Sequence, residues 1–189
     1  KAMETREKIV RAAYDVFAEY GYEKSSLGKI ANELGITRPA LYYHFKSKED
    51  LFLAVYNSID PVADLDISEL LESSDAIHYR HCLEDLLRGV VSHFRSDVKR
   101  ARFIAHIEHA AAYLPSVTEA AHAQDMRLRE TLSAALQHGM ELNALQGECD
   151  LHAAVEYLAV VIYGISEIMA RGNAVDINSI LNHVFDGLF

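Results

Sequence analysis

The sequence predicts an all-α chain, and three observations carry that prediction. Only three prolines and nine glycines interrupt its 189 residues. The stretches between them are rich in Ala, Leu, Glu and Arg, which favour helix. No run shows the dense Val/Ile/Thr alternation of a half-buried strand. Half of the residues are apolar, enough to bury a core. About nine helices are expected: a three-helix helix-turn-helix domain over residues 1–56, then a helical bundle over 57–189 that dimerises.

The first helix is expected from about Glu4 to Tyr20, with Ile9, Ala13, Val16, Phe17 and Tyr20 on one stripe. Gly21 follows where a left-handed cap favours glycine. Ser25 and Ser26 offer caps for a second helix, whose apolar face is Leu27, Ile30, Ala31 and Leu34. Gly35 ends it. Thr37 can cap a third, short helix from Arg38 to about Phe45, with Pro39 in its first turn. Ser47, with Asp50 three residues on, resembles a capping box for a fourth helix that buries Leu51, Phe52 and Val55.

Residues 60–75 carry Pro61 and the acids Asp60, Asp64, Asp66, Glu69, Glu72 and Asp75 without a base, which marks a connection. Helices are then expected near 76–95, 99–113, 116–143, 151–171 and 176–188, with breaks at Pro115, Gly147 and Gly172-Asn173. The last helix has one apolar stripe. The helix before it has two, Leu151/Val155/Leu158/Ile162/Ile165/Met169 and Ala154/Tyr157/Val161/Gly164/Ile168. A helix apolar nearly all round is covered on more than one side, either inside one monomer or by a second subunit. A homodimer interface is expected over Val155, Leu158, Ile162, Ile165, Met169, Ile177, Ile180, Leu181, Val184 and Phe185.

The net charge of −10 is unevenly placed. Residues 1–56 hold nine Lys and Arg against eight Asp and Glu, a net of +1, so the remainder carries −11. The N-terminal part is therefore the region where phosphates meet no repulsive average field. Cys82 and Cys149 make no disulfide framework, and reduced thiols are expected. No leader pattern opens the sequence, and the apolar stretch 153–170 carries Glu156 and Glu167, which disfavours a membrane span. A cytoplasmic location is expected.

The spacing Ala31–Gly35–Ile36–Leu41 suits two short helices crossing at a tight turn. If Leu41 and Phe45 point inward, Arg38 and its neighbours project outward at the N-terminal end of the second helix, the end that reads base edges. Arg38 can contact guanine O6 and N7 in a bidentate manner. Tyr42, Tyr43 and His44 have donors for phosphate oxygens, and Lys48 sits at a helix start that favours an anion. The competing reading makes Tyr42, Tyr43 and Phe45 core aromatics.

Residues 4–55, in the runs AAYDVFAEYGYEKSSLGKIANELG and LGITRPALYYHFKSKEDL, resemble the DNA-binding domain of the tetracycline-repressor (TetR) family. The resemblance implies a dimeric repressor of double-stranded operator DNA, a site of inverted-repeat form. Ser26 would cap the second helix and touch phosphate. Thr37, Arg38 and Ala40 would face the major groove, and Tyr42, Tyr43, His44 and Lys48 would hold the backbone. Gly28 stands where members of the family often place a polar side chain, which shifts base reading onto Arg38. For the rest of the chain the resemblance implies about six helices, with the last two making the dimer, and a small-molecule effector bound between the middle helices.

The effector is not named by the sequence. Phe94, Phe103, Ile104, Ile107, Tyr113 and Met126 can line an apolar pocket or form ordinary core. Lys99, Arg100 and Arg102 can draw an anionic effector or form a solvated face. His78, His81 and Cys82, at i, i+3 and i+4, and the pair His106 and His109 have the spacing of zinc ligands, which leaves a metal-responsive repressor as an alternative beside solvated histidines. A DNA-binding scaffold without effector is a third reading. No Gly-x-Ser-x-Gly, phosphate-cradling glycine loop or His-Glu-x-x-His is present, and neither an enzyme nor a bound cofactor is expected.

Overall fold

The computed structural model describes residues 2–59, 65–147, 150–171 and 176–189, and their side chains except at 2–4, 93–96 and 170. Among the described residues there are ten helices and no strand. They are α1 (Ala2–Tyr20), α2 (Leu27–Glu33), α3 (Arg38–His44), α4 (Lys48–Ser58), α5 (Ser68–Leu71), α6 (Ala76–Ser96), α7 (Val98–Ala111), α8 (Pro115–Glu141), α9 (Leu151–Ala170) and α10 (Ile177–Leu188). The fold is all-α with an N-terminal helix-turn-helix. The helix beyond the expected nine is α5, a single turn in the acidic connection pinned by the buried Leu70. Asp60, Pro61, Asp64, Cys149 and Gly172-Asn173 lie outside the described residues.

Local signals start and stop the short helices. Ser26, Thr37 and Ser47 accept from the amides of Lys29, Ala40 and Asp50 at 3.2, 3.3 and 3.0 Å. The Asp50 carboxylate reaches back to the Lys46 amide at 3.0 Å, one residue before the cap. Gly35, at φ +64°, ends α2 in a Schellman turn: Ile36 N–H donates to Ala31 C=O at 3.0 Å and Gly35 N–H to Asn32 C=O at 3.1 Å. Ser25 is not a cap; its hydroxyl donates to the Gly21 carbonyl and is buried.

The chain divides into two compact units, Lys1–Asp60 with Lys99–His122, and Pro61–Val98 with Ala123–Phe189. A single cut after residue 56, as expected from the sequence, does not describe this division. Phe103, Ile107, Ala110 and Val117 of α7 and α8 complete the core that Ile9, Phe17, Ile30, Leu41, Phe45 and Phe52 begin. Phe103 meets Tyr14 at 5.6 Å and Phe52 at 5.4 Å between ring centroids, and Phe52 meets Phe17 at 4.9 Å. Such aromatic contacts add to the burial of apolar area.

In the second unit, Tyr79, Leu83 and Leu87 of α6 pack with Leu132 and Leu136 of α8, Leu158 and Ile165 of α9, and Leu181 and Phe185 of α10. The Tyr79 hydroxyl donates to the Ala135 carbonyl at 2.9 Å, which satisfies a fully buried phenol. A methyl group at Gly139 would overlap that phenol, so this glycine permits the close approach of α6 and α8. Arg129 of α8 binds Glu156 of α9 at 2.8 and 3.1 Å and also pairs with Asp125, which accepts from Tyr163 at 2.8 Å.

Candidate nucleic-acid interface

The first unit carries an open groove of about 430 Å³. Ser25, Ser26, Leu27 and Gly28 line one side, and Arg38, Tyr42, Lys46, Ser47 and Lys48 the rest. No carboxylate lines it, and three cations do. The N-termini of α2 and α4 both open into it, each with a hydroxyl cap. Those hydroxyls accept from the helix and keep their protons for an outside acceptor. Helix N-termini carry a partial positive charge and favour anions.

The exposed side of α3 is the other half of the surface. Leu41 and Phe45 are buried at 0% and 1%, whereas Tyr42 is 53% and Tyr43 82% exposed. These two tyrosines are not core aromatics. Thr37, Arg38 and Ala40 are exposed as well, and His44 is half-buried with its ring 5.1 Å from that of Tyr43. The eight residues expected to touch DNA therefore lie on α3 and at the starts of α2 and α4, all in the first unit.

Two details were not legible beforehand. A methyl group at Gly28 would overlap the Arg38 guanidinium, so the missing side chain is the space into which Arg38 folds. Lys48 is partly committed within the protein. Its ammonium donates to the carbonyls of Tyr22 at 2.7 Å and Ser25 at 3.2 Å and sits 4.0 Å from the Tyr22 ring centroid. Partial burial holds its pKa below the ordinary value, against the opposing effect of Glu23. One of its three N–H groups remains for a phosphate. Lys46, which sequence reasoning passed over, lines the groove beside it; its place just before a helix start is the signal that would have found it.

The expected pocket residues fall elsewhere. Phe103 and Ile107 are buried in the first unit's core, and Tyr113 and Met126 are 42% and 45% exposed. The Phe94 side chain lies outside the described residues. The second unit does hold an apolar cavity between α6, α9 and α10, lined by Leu87, Val90, Val91, Leu158, Val161, Ile162, Ile165, Leu181 and Val184. At about 10 Å³ it has room for roughly one water.

Most of the expected interface residues are buried within one chain. Val155, Leu158, Ile165, Ile177, Leu181, Val184 and Phe185 are at most 5% exposed within one chain, and Ile162, Met169 and Ile180 pack against the same core. They hold the monomer together. The outward stripe of α9 is Ala153, Tyr157, Val160 and Gly164, with Tyr157 45% and Val160 65% exposed. By length and composition α9 is apolar enough to cross a membrane; its Val155, Leu158, Ala159 and Ile165 are buried in the second unit's core, and its Glu156 pairs with Arg129.

The histidine clusters separate. Glu69, His78 and Cys82 bring their ligand atoms within 4.8 Å of one another, and His81 lines the same recess. Burial, then Glu69 and Asp85, push the Cys82 thiol above its ordinary value. His106 instead packs under Gly21 and bonds the Ala18 backbone, and His109 meets the edge of Tyr113 at 5.7 Å.

Comparison with known proteins gives the family of this region. The family described as bacterial regulatory proteins, tetR family, matches residues 9–55. The chain is 30% identical over 155 residues to YezE of Bacillus subtilis, an uncharacterized HTH-type transcriptional regulator, covering 79% of this chain and 78% of that protein. NalD of Pseudomonas aeruginosa, the secondary repressor of the MexAB-OprM multidrug efflux pump, matches in structure with a TM-score of 0.76 at 23% identity, over 100% of this chain and 98% of its own. FadR of Bacillus subtilis, in complex with stearoyl-CoA, matches with a TM-score of 0.74 at 20% identity, over 95% of each chain. At those identities the two structures speak for the fold.

Proposed function

The chain belongs to the tetracycline-repressor family of bacterial DNA-binding transcriptional regulators, and from that premise we propose that it is a homodimeric repressor released from an inverted-repeat operator by an apolar small molecule. The observation that carries the DNA reading is the carboxylate-free groove, with two helix N-termini, Arg38, Lys46 and Lys48 along it and the exposed tyrosines of α3 beside it. Arg38 reads a base edge from the start of α3, Thr37 and Ala40 approach the groove floor, and Ser26, Tyr42, Tyr43, His44 and Lys48 hold phosphates. The DNA-reading module is the whole first unit, with α7 and the start of α8 as its support. A repressor of chromosomal DNA works in the cytoplasm.

The second subunit packs on the outward stripe of α9, an apolar face that one chain leaves uncovered. The effector enters the seam between α6, α9 and α10, whose nine lining residues are all aliphatic. FadR, bound to stearoyl-CoA, supports a ligand with a large apolar part. Because the seam holds only about one water, the ligand must part these helices, and operator affinity falls by the free energy that links the two states. The tight seam also favours a second reading, a repressor without effector.

Capture of genomic fragments by the purified protein at two salt concentrations tests both. An inverted repeat enriched at the higher salt supports operator binding; enrichment of no sequence above bulk DNA rejects it. Release of the captured repeat by long-chain acyl compounds or apolar drugs separates the two readings, since an effector-free repressor ignores them all.

A further inference from the structure

We propose that the recess between α5 and α6 is a binding site for one divalent transition-metal ion of the zinc type, held by Glu69, His78 and Cys82. Three different ligand chemistries meet there, with their ligand atoms within 4.8 Å of one another. Ligand atoms around a tetrahedral zinc stand roughly 3.5 Å apart, so rotation of the side chains by about 1 Å closes the set. His78 and Cys82 are one helical turn apart on α6, and Glu69 arrives from α5.

The backbone beside each ligand is fixed by a buried neighbour: Leu70 next to Glu69, Tyr79 next to His78 and Leu83 next to Cys82, at 2%, 0% and 0% exposure. Such anchoring limits the entropy lost when an ion is bound. The Cys82 thiol hydrogen-bonds its own backbone, a contact within α6, and its side chain still lines the recess. The recess measures about 250 Å³, and Asp66, His81 and Asp85 also line it. One of them, or water, completes a fourth position. The carboxylates supply the negative field that a dication needs, and a thiol with an imidazole selects a borderline ion over calcium or magnesium. On binding, the Cys82 thiol gives its proton to solvent and the thiolate sulfur bonds the ion.

The site is separate from the groove and from the apolar seam, and it corrects the sequence-based set by replacing His81 with Glu69 in the first contacts. Tag-free protein is stripped with a chelator and titrated with Zn²⁺ and with Co²⁺. One ion per chain is expected, with a thiolate-to-cobalt charge-transfer band that disappears in Cys82→Ser. His78→Ala and Glu69→Gln should each lower affinity by tenfold or more, as loss of a ligand does. Glu69 and His78 are exposed and Cys82 packs at the edge of the core, so the helical spectrum checks that each variant folds. His106→Ala should bind as the unsubstituted protein does. No bound ion, an ion without the sulfur band, or binding unchanged by Cys82→Ser and His78→Ala would each overturn the assignment.

Discussion

α3 and α9 both leave aromatic and apolar groups at the surface, but different polar atoms accompany them. On α3 the exposed residues Tyr42 and Tyr43 carry hydroxyls and stand near Arg38 and the capped starts of α2 and α4. Such a face suits a polyanion that brings its own water and counterions. On α9 the outward stripe is Ala153, Tyr157, Val160 and Gly164, mostly hydrocarbon and small, with the exposed His152 at its N-terminal end. Small residues let backbones approach, and hydrocarbon prefers a surface like itself. Exposure alone therefore says little; the polar atoms that accompany it decide the partner.

The largest effect expected on this comparison comes from charging the α9 face. Val160→Glu adds a carboxylate to a position 65% exposed, so the single chain should fold normally. If the stripe is the subunit face, sedimentation should show a monomer at concentrations where the unsubstituted protein is a dimer. Operator affinity should then drop by about 10²-fold or more, because two linked half-site contacts become independent events. A variant that stays dimeric would move the interface to another face.

Next in size is Arg38. Arg38→Ala should cost about 1–3 kcal/mol of discrimination at one base pair, measured by competition between operator variants. Gly28→Ala sharpens the same point without touching a charge. Its methyl group would displace the Arg38 guanidinium, so preference at that base pair should weaken in the same direction by a smaller amount. Unchanged preference in both would show that α3 reads DNA through other residues.

How much was legible follows from how local each signal is. The helix-turn-helix was readable because its caps, its Gly35 turn and the inward Leu41 and Phe45 all lie within about twenty residues of one another in sequence, and each has its own stereochemical reason. On α9 both stripes are apolar, and the sequence does not say which one the monomer covers. The bulkier Val155/Leu158/Ile165 stripe went inward because it fills the core better. Phe103 looked like a pocket residue because its partners Tyr14 and Phe52 are far away in sequence. Glu69 was hidden for the same reason: only the return of α5 against α6 brings it to His78 and Cys82.

Lys48 tests whether one residue can serve both the fold and the ligand. Lys48→Ala should weaken binding to all sequences alike and reduce the slope of log affinity against log salt by about 1. Because its ammonium also bonds the Tyr22 and Ser25 carbonyls, the same substitution should cost about 1 kcal/mol of stability, discounted for its partial exposure. A stability loss without a change in salt slope would make Lys48 a brace between α4 and the α1–α2 turn and nothing more.

The smallest effect expected is a pH dependence confined to the first unit. Burial, reinforced by His109 and Arg102, holds the His106 pKa below its ordinary 6.5, against the hydrogen bond to the Ala18 backbone. The unfolded chain therefore takes up the proton first as pH falls. Stability from this residue is complete above about pH 6.5 and is lost as pH drops through the folded value. His106 packs on Gly21, at φ +73°, where α1 ends, so its protonation should loosen that corner. Urea midpoints measured between pH 7.5 and 5.5 should fall more steeply in the unsubstituted protein than in His106→Gln, which keeps a donor for Ala18 and cannot take up a proton. Equal slopes would mean that the imidazole is solvated as freely in the folded chain as in the unfolded one, and that the contact with Gly21 excludes no water.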